Sequence, residues 1–522
     1  MRAIKNISNS EFMSGLTARL RAVLQRSGLT AGIACGLIAL AVSSCDLYRE
    51  DYTEIYPEDY PKTENDLKLM VNALMYEFGT GYWNGEGIYG ANYGGYQVMS
   101  DMTTDVLWSC WGWESDVLYY QQWKDNSTSS ISGYFYNAFA HYQFLSKARN
   151  VTRRILASEA PEEAKRHYAA EACALRGWMG LYLYDNFGPV PVATDAQLDD
   201  PLTYYYIGRL TEAQYDSVMT ADLNYAIANL PETAPRGRMT KGIAMTILLK
   251  YRMIQGKFVE AEKLCRDIMD LGVYGLQANY ADVFNINNAD NNEIILCVPC
   301  NSSASWTSNY MIAEILPADM PWADKSAGWG GYVMPWDFYN TFKATDKRLE
   351  CIHTDYVSIN SRYTDKNNSN QLKYGPLPLK YSIDPNMTGA QASNDLIVYR
   401  YSDILLSLAE CIARNSGVNS EAEGLLNQVR RRAGLGDIMG YTTNDFLTAI
   451  LAERGHEFYL EGLRRQDLIR FGKYADYANA RIAAANASGA SYYTVTNVHN
   501  RYPIPQSFID ESKSAIQQNP GY

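Results

Sequence analysis

Nine of the ten tryptophans in this 522-residue chain fall in two short windows. The first holds Trp83, Trp108, Trp111, Trp113 and Trp123, the second Trp306, Trp322, Trp329 and Trp336. Glycine crowds both, with Gly81, Gly85, Gly87, Gly90, Gly94 and Gly95 in the first and Gly328, Gly330 and Gly331 in the second. A core tryptophan is expected on a periodic helix, as Trp178 is, whereas Trp108, Trp111 and Trp113 are too closely spaced to share one buried helical face. An indole can lie against the apolar C–H face of a sugar while Asn, Asp, Gln, Arg or Tyr at its rim meets the hydroxyls. The chemistry suggested is stacking on carbohydrate, with Trp83, Trp108, Trp111, Trp113, Trp306, Tyr310, Trp322 and Trp329 as candidate binding residues. Trp123 and Trp336, each in an aromatic run leading into a helix, read as core.

Little in the same windows could break a bond. A glycosidase needs two carboxylates at a defined separation. Asp101, Asp105, Glu114 and Asp116 supply the number, but acids are equally dense elsewhere, and Asp101 to Asp105 reads better as a helix-capping segment. His141, His167, His353, His456 and His499 are the only histidines, and no HExxH, GxSxG or phosphate-loop motif occurs. Cys297 and Cys300 form a lone CxxC that closes the strand-like run Ile294 to Val298, where a redox pair would open a helix. Asn285 to Glu293 is rich in oxygen ligands but lacks the EF-hand order, and reads as a solvated turn. No catalytic residue, metal or cofactor is expected.

Charge and composition narrow the partners. Lys plus Arg number 46 against 58 Asp plus Glu, a net charge of −12, which disfavours nucleic acid because duplex affinity rests on neutralising phosphates. An aromatic content of 13%, with 42 tyrosines, excludes a disordered chain. The first 44 residues carry Arg2, Lys5, Arg19, Arg21 and Arg26 against Glu11, followed by the apolar stretch Leu29 to Val42. A helix of that length reaches about 21 Å, short of the ~30 Å hydrocarbon core, so the segment reads as a secretory signal peptide. Val42-Ser43-Ser44-Cys45 resembles the bacterial lipobox, in which the cysteine is lipidated after cleavage. The expected mature protein is an acidic body held to a membrane by lipid on Cys45.

These rings must be positioned by helices. Leu67, Met70, Val71, Leu74 and Phe78 recur at three-to-four spacing. Further helices are expected over Ala164 to Asn186, ended by Gly188-Pro189, and over Tyr215 to Leu230 and Gly242 to Met253. Thr240 to Asp270 reads as two helices about a turn at Gly256, with small residues Gly242 and Ala244 allowing close helix approach and Phe258, Ala261, Leu264 and Ile268 on one face. That plan resembles a tetratricopeptide repeat, and similar pairs run over Ser402 to Arg432 and Phe446 to Phe471. Glu453, Arg454, Glu457, Glu461 and Arg464 are expected to form a charged ladder along one helix, pairing with neighbouring helices.

A series of motifs gives these parts a family. Glu171-Ala-Cys-Ala-Leu-Arg176, Tyr184-Asp-Asn-Phe-Gly-Pro-Val-Pro191, Gly237-Arg-Met-Thr-Lys-Gly242, Arg400-Tyr-Ser-Asp-Ile-Leu-Leu406, Leu426-Asn-Gln-Val-Arg430, the Glu453 to Gly472 run, Tyr502-Pro-Ile-Pro505 and Gln518-Asn-Pro-Gly-Tyr522 stand in order. The chain resembles the SusD/RagB family of outer-membrane glycan-binding lipoproteins of Bacteroidetes, from the lipobox to the last residue. Asp46, Glu50 and Asp51 resemble, in diluted form, the surface-export signal of such lipoproteins. The resemblance implies an all-α body of tetratricopeptide-like helix pairs in a superhelix, with a ligand site in long irregular aromatic-rich loops. It implies a signal peptide over 1–44, a lipid-anchored tether over 45–65 and one domain over 66–522, with parts 66–320 and 321–522. It also implies a SusC-like TonB-dependent transporter as partner, to which a surface-exposed lipoprotein hands its glycan without catalysis. A lid for peptide or glycoprotein-derived cargo, a ligand-free structural lid and a secreted hydrolase are the alternatives.

Overall fold

Threonine and asparagine open many of the helices. Thr63 accepts the Asp66 N–H while the Asp66 carboxylate takes the Thr63 N–H, Thr211 and Gln214 repeat the exchange, and Thr240, Asn419 and Thr442 each accept an N–H three residues on. Each cap satisfies donors that a helix start otherwise leaves unpaired. The computed structural model describes residues 60–80, 87–90, 95–111, 133–304, 307–321, 328–387, 389–487, 489 and 491–522. The chain divides into units Met1–Tyr60 and Pro61–Tyr522, and every element named here lies in the second.

The first half is α1 (Glu64–Met75), α2 (Gly95–Met102), α3 (Gly133–Ala140), α4 (Tyr142–Ala157), α5 (Glu162–Phe187), α6 (Asp195–Leu198), α7 (Glu212–Asn229), α8 (Lys241–Ile254) and α9 (Phe258–Asp270). Helix α5 is buried on nearly all sides from Tyr168 onward, and its buried charges are paired, Glu171 with Arg238, Arg176 with Asp222 and Asp185 with Arg465. It packs against α1, α4, α7 and α8. Gly177 and Gly180 let α7 approach, since a Cβ on either would meet Leu223 or Met219 side-chain atoms. The sequence reading assigned close approach to Gly242 instead. There the neighbour is the Tyr274 ring rather than a helix, because a Cβ on Gly242 would stand 2.3 Å from Tyr274 Oη.

Between the helical blocks the chain makes short ribbons instead of free loops. Strands β1 (Trp108–Ser109), β2 (Ile294–Val298), β3 (Tyr332–Val333), β4 (Ile352–His353), β5 (Tyr356–Val357), β6 (Tyr363–Thr364), β7 (Leu377–Pro378) and β8 (Leu396–Arg400) pair antiparallel as β1·β3, β2·β8, β4·β7 and β5·β6. Two short helices, α10 (Met311–Ile315) and α11 (Trp336–Tyr339), sit among them. The second helical block is α12 (Tyr401–Ser416), α13 (Ser420–Arg432), α14 (Thr443–Phe458), α15 (Arg464–Arg470), α16 (Tyr474–Ala487) and α17 (Gln506–Glu511). The body is thus mainly helical, with α8·α9, α9·α12 and α12·α13 packed as successive neighbours, as the repeat-like reading requires. Among the described residues no helix is long and apolar enough to cross a membrane.

The expected charged ladder is broken and buried. Helix α14 stops at Phe458, Leu460 and Gly462 take positive φ, and Arg464 begins a new helix, so Glu461 and Arg464 leave the line of Glu453 and Glu457. The partners come from across the molecule. Arg400 Nη1 donates to Glu457 at 2.5 Å and Glu293 at 2.9 Å, and its Nε to Glu461 at 2.8 Å. Arg348 pairs with Asp346, Glu453 and Glu457, Lys380 with Glu461, Arg430 with Glu453, and Arg432 with Glu457 and Glu293. Five cations face five carboxylates, so the cluster is neutral as a whole, the condition under which buried ions are tolerated. Its guanidiniums hold the Glu457 carboxyl well below the usual carboxylate range. Glu293, read as part of a solvated turn, is fully buried at the centre of this cluster.

Candidate functional site

The two tryptophan windows meet at the β1·β3 ribbon. Trp108 is opposite Val333, Ser109 is opposite Tyr332, and the Cys110 N–H donates to the Gly331 carbonyl at 2.6 Å. Trp111 follows, and its indole lies directly on Gly331. A Cβ there would stand 2.4 Å from the ring, so this approach requires glycine. The Tyr332 ring is 5.3 Å from Trp111 by centroid.

Helix α10 fixes the other edge. Its C-terminal carbonyls would be orphaned, and the incoming strand satisfies them: Trp329 N donates to Ala313 O at 2.7 Å, Gly330 N to Leu316 O at 2.8 Å and Gly331 N to Glu314 O at 2.7 Å. This clamp places the Trp329 ring 5.8 Å from Tyr310 and nearly parallel to it, at 21°. Tyr310 is only 6% exposed and so supports Trp329 from beneath, while Trp329 itself is half-buried.

A third segment, Gln371 to Pro376, locks the ribbon from behind. Gln371 Nε2 donates to Ile315 O at 2.6 Å, the Trp336 indole N–H to Leu372 O at 2.8 Å and Met334 N to Pro376 O at 2.9 Å. Gly375 lies so close to β3 that a Cβ would fall 1.6 Å from the Met334 carbonyl oxygen. The segment presents Tyr374, 43% exposed, 6.5 Å from Trp108, and the Arg481 guanidinium covers Trp108 at 4.7 Å. Tyr374 and Tyr332 went unnoticed in the sequence because 42 tyrosines dilute any one of them. Trp336, read as core, is partly exposed, since its indole N–H is spent on a neighbouring carbonyl and its ring is left at the rim.

Of the candidate rings, then, Trp108, Trp111, Trp329 and Tyr310 are brought to one neighbourhood. Trp83, Trp113, Trp306 and Trp322, with Trp123 and Cys45, lie outside the described residues. Trp178 is in the core as expected, its ring stacked 4.1 Å from Phe78.

The nearby acids have structural work. Asp101, fully buried, accepts the Gly462 and Arg464 N–H groups at 3.0 and 3.3 Å, capping α15 from another part of the chain, and burial pushes its carboxyl up to about 7. Asp105 holds Arg464 through two bonds of 2.8 Å. The capping sense of this segment was legible; the helix it caps was not. Cys297 and Cys300 both lean on Asp395, and burial pushes the Cys300 thiol up to about 12, the opposite of an activated thiolate.

With this geometry in view, relatives can be compared. A model of the SusD family matches residues 350–522. The starch-binding protein SusD of Bacteroides thetaiotaomicron is 24% identical over 423 residues, covering 68% of this chain and 72% of that protein. A SusD-like protein of Bacteroides ovatus is 25% identical over 397 residues, 70% of each chain. The chain is similar to the SusD family. Among solved structures, a surface glycan-binding protein A of Bacteroides thetaiotaomicron in complex with laminarihexaose shares the fold at TM-score 0.69 and 22% identity, covering 88% of this chain and all of that one. A SusD-like protein of Bacteroides fragilis does so at TM-score 0.71 and 19% identity, covering 88% and 97%. The segment matched by the family model carries Arg400, Arg430, Arg432, Glu453, Glu457, Glu461 and Arg464, whereas Glu293, Asp346 and Arg348 of the buried charge cluster stand before it. Trp108, Trp111 and Trp329 stand before that segment, while Lys373 and Tyr374 fall within it.

Proposed function

We propose that this protein binds a glycan on the face built by Trp108, Trp111, Trp329 and Tyr374 and passes it to a SusC-like TonB-dependent transporter, working by capture and without catalysis. The observation that carries the reading is the joining of two distant tryptophan windows by the β1·β3 ribbon into one partly exposed set of rings. A family relative named for starch and a structural neighbour complexed with laminarihexaose support it. The lipobox-like Cys45 supports a lipid-anchored place on the outer surface of the outer membrane, with the protein acting as a lid over the transporter. Stacking contributes about 1 kcal/mol per ring beyond area burial. After ordering costs, a few rings with hydrogen bonds give affinities of roughly micromolar to millimolar, suited to handover.

Native gels cast with a panel of polysaccharides test this on the mature protein, residues 46–522, beside Trp108→Ala, Trp111→Ala and Trp329→Ala. Retardation by a glycan, lost in the variants while circular dichroism stays unchanged, is the expected result. Unaltered mobility on every gel would overturn the reading in favour of peptide cargo or a ligand-free lid.

A further inference from the structure

We propose that the glycan held by this face is acidic, bearing uronate or sulfate groups; the proposal rests on the reading that the face binds glycan at all. Three cations stand over two of its rings and over Trp336 at its rim. The Arg481 guanidinium is 4.7 Å from the Trp108 ring centre, Lys373 Nζ is 4.8 Å from Tyr374 and Lys366 Nζ is 5.3 Å from Trp336. One piece of backbone ties the three together: Leu372 takes the Trp336 indole N–H, Lys373 follows it, and Tyr374 faces Trp108.

Lys366 and Lys373 are exposed and make no ion pair among the described residues, in a chain of net charge −12. Some surface cations are matched, as Arg149 is with Asp195, Arg266 with Glu421 and Arg431 with Asp437. Others, Lys343 and Lys347 among them, are exposed without a salt bridge among the described residues, so what distinguishes Lys366 and Lys373 is their place over aromatic rings. Acids close in sequence to the face are committed elsewhere. Asp105 is held by Arg464, Asp319 accepts the Tyr356 hydroxyl at 2.7 Å, and Asp365 accepts the Asn367 N–H at 2.9 Å. Asp337, exposed beside Trp336, is the carboxylate such a ligand would have to avoid.

A ring with a cation at its face offers two contacts side by side. The apolar side of a sugar takes the part of the ring face that the cation leaves open, and a carboxylate or sulfate on the same residue takes the ammonium or guanidinium in a charge-assisted bond. The hydroxyls of a neutral glycan would replace the water these cations lose only with weaker bonds than a carboxylate or sulfate gives, since pairing two ions makes the charge-assisted bond shorter and stronger. Repulsion from the protein's overall negative charge is screened beyond a Debye length of about 8 Å in physiological salt, so the local cations decide.

The test compares matched ligands on the mature protein: polygalacturonate with its carboxyl-reduced neutral form, and chondroitin sulfate with its desulfated form, by affinity gel and titration calorimetry. Retention by an acidic member and not its neutral counterpart is expected, weakening as salt rises. Lys366→Gln, Lys373→Gln and Arg481→Gln should each weaken it roughly three- to fivefold, the size of an exposed ion pair. Lys373→Arg should keep it, and Lys68→Gln and Lys263→Gln should leave it unchanged. Retention of neutral glycans, indifferent to the three charge changes, would overturn the acidic assignment and leave glycan binding standing. Retention of nothing would overturn both. Acidic retention that Lys68→Gln or Lys263→Gln weakens as much as the three site changes would be unspecific polyanion adsorption and would also overturn it.

Discussion

Single side chains separate two kinds of ring in this protein. Trp178 is 5% exposed and stacked on Phe78, so Trp178→Ala should cost about 3–5 kcal/mol of stability through its cavity. Trp329 is half-buried over Tyr310, and Trp329→Ala should cost the glycan about fivefold in Kd, near 1 kcal/mol, with a small change in Tm. Calorimetric titration beside thermal unfolding separates them; equal loss of Tm in both variants would remove Trp329 from the site. His456 sets a second test at this scale. Its ring is packed against Phe338 and Phe342, and burial together with the Arg348 charge holds it down to about 3. The unfolded chain, with histidine near 6.5, then takes up a proton the folded one refuses, so stability is full above about pH 6.5 and falls as pH drops toward 3. Unfolding free energies from urea titration at pH 7.5 and pH 5 should differ by about 1–2 kcal/mol more in the parent than in His456→Gln, which can still meet Thr341.

Elements decide whether those side chains meet. Many helices were legible because periodicity and stop signals are local: Leu67, Met70, Val71 and Leu74 mark the buried face of α1, and Gly188-Pro189 end α5. The strand-like run at Ile294 to Val298 is β2. What stayed hidden depends on partners far along the chain. The β1·β3 ribbon has two residues per strand, too short for any alternation to show, and Trp111 chooses Gly331 only once α10 has drawn the strand in. The charge ladder was legible as a set of residues but not as a cluster, since Arg348, Arg400 and Glu293 come from outside it. Two variants test this scale. Gly375→Ala must push the 371–376 segment off β3, so it should displace Tyr374 and abolish glycan retention, with intrinsic tryptophan fluorescence altered; unchanged fluorescence and binding would show that the ribbon does not organise the face. Glu457→Ala strips a carboxylate from Arg348, Arg400 and Arg432 at once and should cost about 3–5 kcal/mol, read by chemical denaturation, because three buried cations lose their compensation together. A loss below about 1 kcal/mol, the size of an exposed pair, would mean water reaches the cluster.

At the scale of the whole molecule, a buried framework and a partly exposed face divide the work. The charge cluster is coupled, since removing one partner strands the others, whereas Trp108 and Trp111 stand outside it at the β1·β3 ribbon. The same division predicts what the lipid does. If Cys45 carries it, the tether adds nothing to the rings' own affinity for glycan. It holds a weak binder beside the transporter, where a short flexible link gives effective concentrations on the order of millimolar. Cys45→Ala should therefore leave glycan titration of the isolated body unchanged, shift the protein from the membrane to the soluble fraction, and end incorporation of radiolabelled palmitate. Growth on the captured glycan should then fall steeply when that glycan is scarce and little when it is plentiful, because mass action can replace the tether only at high ligand. Equal growth of parent and variant at every glycan concentration would show that capture at the surface does not depend on the anchor. A variant that still fractionates with membranes would show that something other than Cys45 holds the protein there.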